Sequence, residues 1–163
     1  PLYISEVNLF ITPWIKSLSE ALNKTAVFLI DYGFARHEYY HPDRKMGTLM
    51  CHYQHQSHPN ALLHVGEQDI TAHVDFTHVA TAAVEHGFEV QGFSNQASFL
   101  IEQGILNLIE HIEDERHKLN AVQSAKILLQ PSEMGELFKV IALTKKIDLP
   151  PPFFMLQDKR ASL

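Results

Sequence analysis

Apolar positions near the start of the chain follow two different periods. Val7, Ile11, Trp14, Leu18 and Leu22 lie three or four residues apart within residues 5 to 23, one stripe of an amphipathic helix. Thr12-Pro13 falls inside that stripe. Proline within a helix loses a backbone donor and crowds the preceding turn, whereas threonine as N-cap with proline at the first position starts one. The spacing therefore predicts a short turn and then the main helix. Ala26-Val27-Phe28-Leu29-Ile30 is instead an unbroken apolar run that stops at Asp31-Tyr32-Gly33. A segment apolar on both faces predicts a central strand of a parallel sheet, and its abrupt polar end is where such sheets carry functional loops.

Residues 34 to 47 are polar, rich in His, Tyr and Arg and without period, which predicts a long surface loop. Residues 48 to 54 predict a strand and 55 to 68 another loop. Ile70, Ala72, Val74 and Phe76 alternate with polar neighbours, a short half-buried strand. Asp75 is placed to cap a following helix with Val79, Ala80, Ala83 and Val84 inward and Gly87 as its left-handed stop. Residues 88 to 93 predict a strand, and Ser94 a cap for a helix that runs to Gly104. A longer helix from Ile105 to about Leu129 carries a charged middle, Glu113-Asp114-Glu115-Arg116, as a solvated face, and Pro131 breaks it. Leu137 to Leu143 is a last apolar run. Asp148-Leu149-Pro150-Pro151-Pro152 opens a tail, about residues 146 to 163, that excludes regular structure. No internal repeat or domain linker interrupts the chain, so one globular unit of mixed α/β class is expected.

Composition narrows the function classes. With 163 residues and 45% hydrophobic content the chain can build one core. Net charge is −6 and Lys and Arg form no block, which argues against nucleic acid as a partner. No apolar stretch approaches the ~18 to 20 residues of a membrane span, and the single cysteine, Cys51, has no partner for an internal disulfide. A reducing, soluble compartment is expected. The first residue is Pro1 and no signal-type leader follows, so the sequence reads as a fragment or processed product.

An ordered set of motifs adds a more specific reading. Ser5-Glu6-Val7-Asn8, Asp31-Tyr32-Gly33, Arg44 with Gly47-Thr48-Leu49, Tyr53, His55, and above all Gly66-Glu67-Gln68-Asp69-Ile70-Thr71-Ala72-His73-Val74-Asp75-Phe76 resemble the MidA family of S-adenosylmethionine-dependent methyltransferases. Gln96 with Phe99-Leu100, and the run Met134 to Val140, extend the resemblance to about Leu143. It implies the C-terminal half of a class I, Rossmann-like methyltransferase domain, a mixed sheet with helical insertions whose first strands are missing. The run ending at Asp31 then corresponds to the fifth strand, residues 88 to 93 to the sixth and 137 to 143 to the reversed seventh. The mitochondrial family member is an arginine methyltransferase needed for respiratory complex I assembly, so the resemblance implies a protein substrate. It also implies a bacterial cytoplasm, or the mitochondrial matrix for a eukaryotic source, with the former favoured. The cofactor of this class rests on a glycine-rich turn that brings backbone close to the nucleoside. The seven glycines, at 33, 47, 66, 87, 92, 104 and 135, include no two close enough to form it. No cofactor-binding residue is therefore assigned here, and S-adenosylmethionine is expected only in the intact protein.

What remains is acceptor chemistry. Methyl transfer needs the acceptor atom held in line at ~3 to 3.5 Å from the methyl carbon, and an arginine acceptor wants a carboxylate to anchor its charge. Asp31, Asp69 and His73 are the candidate catalytic residues, His73 as a base that titrates near neutrality. Tyr32, Arg44, His55 and Asp75 are candidates for substrate binding. Each has a structural alternative: Asp31 satisfying a turn, Asp75 capping a helix, His73 buried in a turn, Tyr32 packing in the core, Arg44 and His55 tying loops down. Two rival functions stand beside this one. An assembly module would use residues 34 to 40 and the tail Pro150 to Phe154 as contact surfaces. A metal-dependent hydrolase would use the histidine-rich segment around His52, His55 and His58, but a strand followed by a loop sends successive side chains apart, so no metal ligand is assigned. An unpaired sheet edge would also promote self-association.

Overall fold

The computed structural model describes residues 2–163. After an extended lead, helix α1 spans Ile11–Ala21 and strand β1 spans Thr25–Phe34. The chain then forms a short helix α2 (Arg36–Tyr39), a 3-10 turn (Pro42–Arg44) and strands β2 (Met50–Tyr53), β3 (Gln56–His58), β4 (Asp69–Thr71) and β5 (Val74–Asp75). Helix α3 (Phe76–Glu85) leads to β6 (Glu89–Asn95), and helices α4 (Gln96–Glu102), α5 (Ile105–Glu110), α6 (Glu115–Leu129) and α7 (Met134–Leu137) precede β7 (Phe138–Lys145).

The main sheet has the order β5-β1-β7-β6, and β2, β3 and β4 form a separate three-stranded sheet. β7 runs antiparallel to both β1 and β6, so those two are parallel to one another. This is the arrangement implied for the fifth, seventh and sixth strands of a class I methyltransferase. The pairing of β1 with β7 is continuous from Thr25↔Lys145 to Tyr32↔Phe138. On its other edge β1 pairs only at Gly33 and Phe34, with β5.

Helices cover both faces. On one, α1 and α3 bury Ile11, Ile15, Phe76, Val79, Ala80 and Ala83 against Phe93, Ile141 and Leu143. On the other, Val140 and Ala142 lie under Phe154, with Phe99 and Phe153 around them. Fully burying such side chains stabilises by about 1.5 to 3 kcal/mol each, so these two layers supply the driving force.

Several expected elements take different form. The helix begins at Ile11 rather than near residue 5, and its inward face is Ile11, Ile15 and Leu18, with Trp14 half exposed. Thr12 does not cap; its hydroxyl bonds the His78 ring at 3.0 Å and ties α1 to α3. The polar loop at 34 to 47 contains α2 and a 3-10 turn, and the loop at 55 to 68 contains β3. The alternating segment at 70 to 76 divides between two sheets as β4 and β5. Val84 is exposed rather than inward. Asn95, whose side chain accepts from the Ser98 N–H at 2.8 Å, caps α4 in place of Ser94, which is buried within β6. The long helix is two helices, because Asp114 accepts from the His117 N–H at 2.7 Å and starts α6. A charged cluster thus serves as a cap and break rather than a solvated helical face.

The tail is docked, not loose. Glu102 accepts backbone N–H bonds from Phe154, Met155 and Leu156 at 2.5 to 2.7 Å, Gln157 accepts from the Asn95 N–H at 3.1 Å, and a 3-10 turn forms at Arg160–Ser162. Gly92 makes room for it, since a Cβ there would stand 2.0 Å from the Phe154 ring.

Candidate functional site

The carboxyl end of β1 opens on a cavity of about 1000 Å³. Its walls come from the extended lead (Glu6, Asn8), α1 (Trp14), β1 (Asp31), α2 (Tyr39) and the β4–β5 connection (His73). Among the described residues, the site lies on the side of β1 that has no strand beside it before Gly33.

Of the seven residues singled out from sequence, Asp31, His73 and Asp75 line this cavity. Asp31 accepts the N–H of Tyr32 through Oδ1 at 2.8 Å, leaving its other oxygen without a protein partner among the described residues. Asp75 is engaged twice: it caps α3 by accepting from the His78 N–H at 3.1 Å and receives Arg36 Nε at 3.2 Å. Both its oxygens therefore have partners, and the helix-cap alternative describes it.

His73 is held by aromatic rings. It stacks on Phe34 with ring centres 5.1 Å apart and a 17° interplanar angle, and it meets Tyr32 edge-on at 5.1 Å. Tyr32 in turn meets Phe138 edge-on at 5.5 Å, so it serves as a wall behind the imidazole. Arg44 places its guanidinium 4.0 Å from the Phe34 ring centre. Burial, and then the Arg44 charge, hold the His73 ring below its ordinary titration range, against the pull of Glu6 and Asp31. Nδ1 of His73 is buried with no hydrogen-bond partner.

The remaining two candidates stand elsewhere. Asp69 is exposed on β4 opposite His52. His55 sits with Gln54 in the β2–β3 hairpin turn, both at positive φ (64° and 46°), the backbone such two-residue turns require. The β2–β3–β4 sheet carries both residues out of the cavity. Among the described residues no three His, Cys, Asp or Glu side chains converge as metal ligands would.

Sequence reasoning assigned no role to Glu6 and Thr48, and both are central. Glu6 Oε1 accepts from the Thr48 N–H at 2.8 Å, from the Tyr39 hydroxyl at 3.2 Å and from the Thr48 hydroxyl. Burial, followed by the Glu6 charge, raises the Tyr39 hydroxyl well above its ordinary range, so it remains a donor. The Thr48 oxygen accepts the His73 N–H at 2.9 Å. Gly47, at φ 75°, is needed here because a Cβ would fall 2.2 Å from Glu6 Oε2. Lys139 was missed as well. Its ammonium is buried and bonds the Glu136 carbonyl, and burial lowers its titration range.

None of the seven glycines forms a nucleoside cradle. Gly33, Gly47, Gly92 and Gly135 make room for the chain's own Val74, Glu6, Phe154 and Leu129, while Gly66, Gly87 and Gly104 are positive-φ glycines with no close neighbour. The glycines of this chain thus offer no close backbone approach to a nucleoside.

A reversed last strand between two parallel ones, with an open cavity at their carboxyl end, defines part of a class I methyltransferase sheet. The family described as "Putative S-adenosyl-L-methionine-dependent methyltransferase" matches residues 1–94, more than half of the chain, and the chain belongs to that family. Two solved structures from Burkholderia thailandensis are similar to it. One, of an uncharacterized protein, is 40% identical with a TM-score of 0.93 and is matched over 99% of this chain and 44% of its own. The other, described as a "likely methyl transferase" bound to S-adenosyl-homocysteine, is 40% identical with a TM-score of 0.94, over 99% of this chain and 42% of its own. The chain thus spans less than half the length of these neighbours. No curated protein matches it significantly. No helix among the described residues is long and apolar enough to cross a membrane.

Proposed function

We propose that this chain is the acceptor-side part of an S-adenosylmethionine-dependent methyltransferase that modifies a protein side chain, an arginine nitrogen. One observation carries the reading: the cavity at the carboxyl end of β1 presents Asp31 and His73 together, on the side where the sheet edge is free. The cofactor assignment rests on the family and on the neighbour that holds S-adenosyl-homocysteine.

The two side chains divide the work. The free Asp31 oxygen anchors the guanidinium, which is charged at all working pH. As the nitrogen–carbon bond forms and the carbon–sulfur bond breaks, the nitrogen gives up a proton, and the neutral His73 ring is placed to take it. The aromatic lining (Trp14, Tyr39, Tyr40) suits a delocalised cation. The nucleoside is held by residues outside this chain.

Two experiments test the reading. In the full-length polypeptide, transfer of labelled methyl to arginine-containing protein should fall roughly 100-fold or more in Asp31→Asn, with cofactor affinity unchanged. Wild-type turnover in that variant would remove Asp31 from the acceptor site. By calorimetry this chain alone should show no binding of S-adenosylmethionine while the full-length polypeptide does; tight binding by the chain alone would refute the placement of the nucleoside.

A further inference from the structure

We infer that Glu6 and Thr48 form a directed hydrogen-bond chain whose function is to position His73 at the acceptor cavity. The inference rests on reading that cavity as the acceptor site. Three separate stretches meet in it: the extended lead before α1, the turn before β2 and the connection between β4 and β5. No regular element holds any of the three residues; besides the Ile4 N–H bond to the Lys45 carbonyl at 2.9 Å, this contact sets their relative placement.

The direction of the bonds follows from donor inventory. The Thr48 oxygen accepts the His73 N–H, at 2.9 Å. A hydroxyl has one proton, and the Thr48 proton goes to Glu6 Oε1. The same carboxylate oxygen accepts the Thr48 N–H at 2.8 Å and the Tyr39 hydroxyl at 3.2 Å. Glu6 is an acceptor for three donors, so Thr48 is held both at its backbone and at its side chain. His73 hangs from that point by its own backbone, while Phe34 and Tyr32 fix the plane of its ring. Nδ1 of the ring is left buried and without a protein partner. A buried nitrogen without a partner costs free energy in the resting protein, so the contacts around His73 hold the ring against that cost.

Glu6 and Thr48 are thus positioning residues: Thr48 bonds the His73 backbone, and Glu6 acts through Thr48. Valine at 48 keeps the branched shape and removes the oxygen, while serine restores it. In the full-length enzyme Thr48→Val should lower kcat roughly tenfold or more, since small misplacements of a reacting group are costly, with the KM for S-adenosylmethionine unchanged. Thr48→Ser should recover most of that loss, and Glu6→Gln, which weakens the acceptor oxygen, should fall between. Nitrogen NMR of the His73 imidazole, which needs no turnover, should show a changed Nδ1 resonance in Thr48→Val and the wild-type one in Thr48→Ser. A Thr48→Val enzyme with wild-type kcat and an unmoved His73 resonance would overturn the inference. So would a loss that Thr48→Ser shares equally together with the same drop in melting temperature, the mark of a merely structural contact. If wild type transfers no methyl group, the acceptor-site reading fails, and the NMR comparison still decides whether the chain of bonds orients the ring.

Discussion

β1 and β7 lie side by side in one sheet and live in different surroundings. Six consecutive residues of β7, Lys139 to Thr144, are buried, with strands on both edges and helices or the tail on both faces. β1 has β7 on one edge and, among the described residues, no strand on the other until Gly33, and Ile30 is 48% exposed. The closed side holds the fold together; the open side lines the cavity. Asp31 and His73 line the cavity at the carboxyl end of β1. A site needs an unfilled flank, whereas a stable core needs every flank filled.

The closed side can be broken most severely. Ile141→Ala removes atoms from a fully buried position and should destabilise the chain by about 2 to 5 kcal/mol in urea denaturation; a loss below the range of a surface change would show that β7 is not the keystone. Gly92→Ala should cost about 1 to 3 kcal/mol, because the new methyl drives Phe154 out of its seat. Limited proteolysis should then cut the tail first, and an intact tail would count against the docking described.

Nearer the open side, Asp75→Ala should cost about 0.5 to 2 kcal/mol through the lost cap of α3. Acid should weaken this region through His73. Burial and the Arg44 charge depress the folded imidazole below its ordinary 6.5, so on acidification the unfolded chain takes up that proton first. The contribution of His73 is complete above about pH 6.5 and declines as pH falls toward the folded value. Replacing His73 with Gln should flatten that part of the stability profile, and an unchanged profile would mean the ring is not shielded. The smallest effect on stability belongs to the edge itself. Ile30→Lys should alter the unfolding free energy by no more than about 0.5 kcal/mol while reducing self-association in sedimentation. Equal association in both proteins would show that the free edge is not the adhesive surface.

How much of this was legible beforehand depends on the kind of signal. β1 was readable as a strand because five apolar residues followed by Asp31 leave few alternatives, but not as the buried centre of a parallel sheet: it pairs mainly antiparallel with β7, and Phe28 and Ile30 are exposed. The cap at Asp75 was readable because capping is local in sequence. The break at Asp114 was missed, since a charged run on a helix and an N-cap look alike until the chain direction is known. Within the small sheet β2 was readable, but β3 was missed because a short polar strand such as Gln56–His58 has no hydrophobic period and forms only by pairing with β2. That same sheet withdraws Asp69 from the cavity while its neighbour His73 remains.

The sequence by itself determined local matters: that the longer apolar runs become strands, that Asp75 caps a helix and which family the motifs resemble. Only tertiary structure decided that Glu6, Thr48 and His73 form one hydrogen-bond chain across 67 residues of sequence. Hydrogen bonds between remote loops leave no periodicity and no composition bias. They exist only once the core built by β7 has brought those loops to the same end of the sheet.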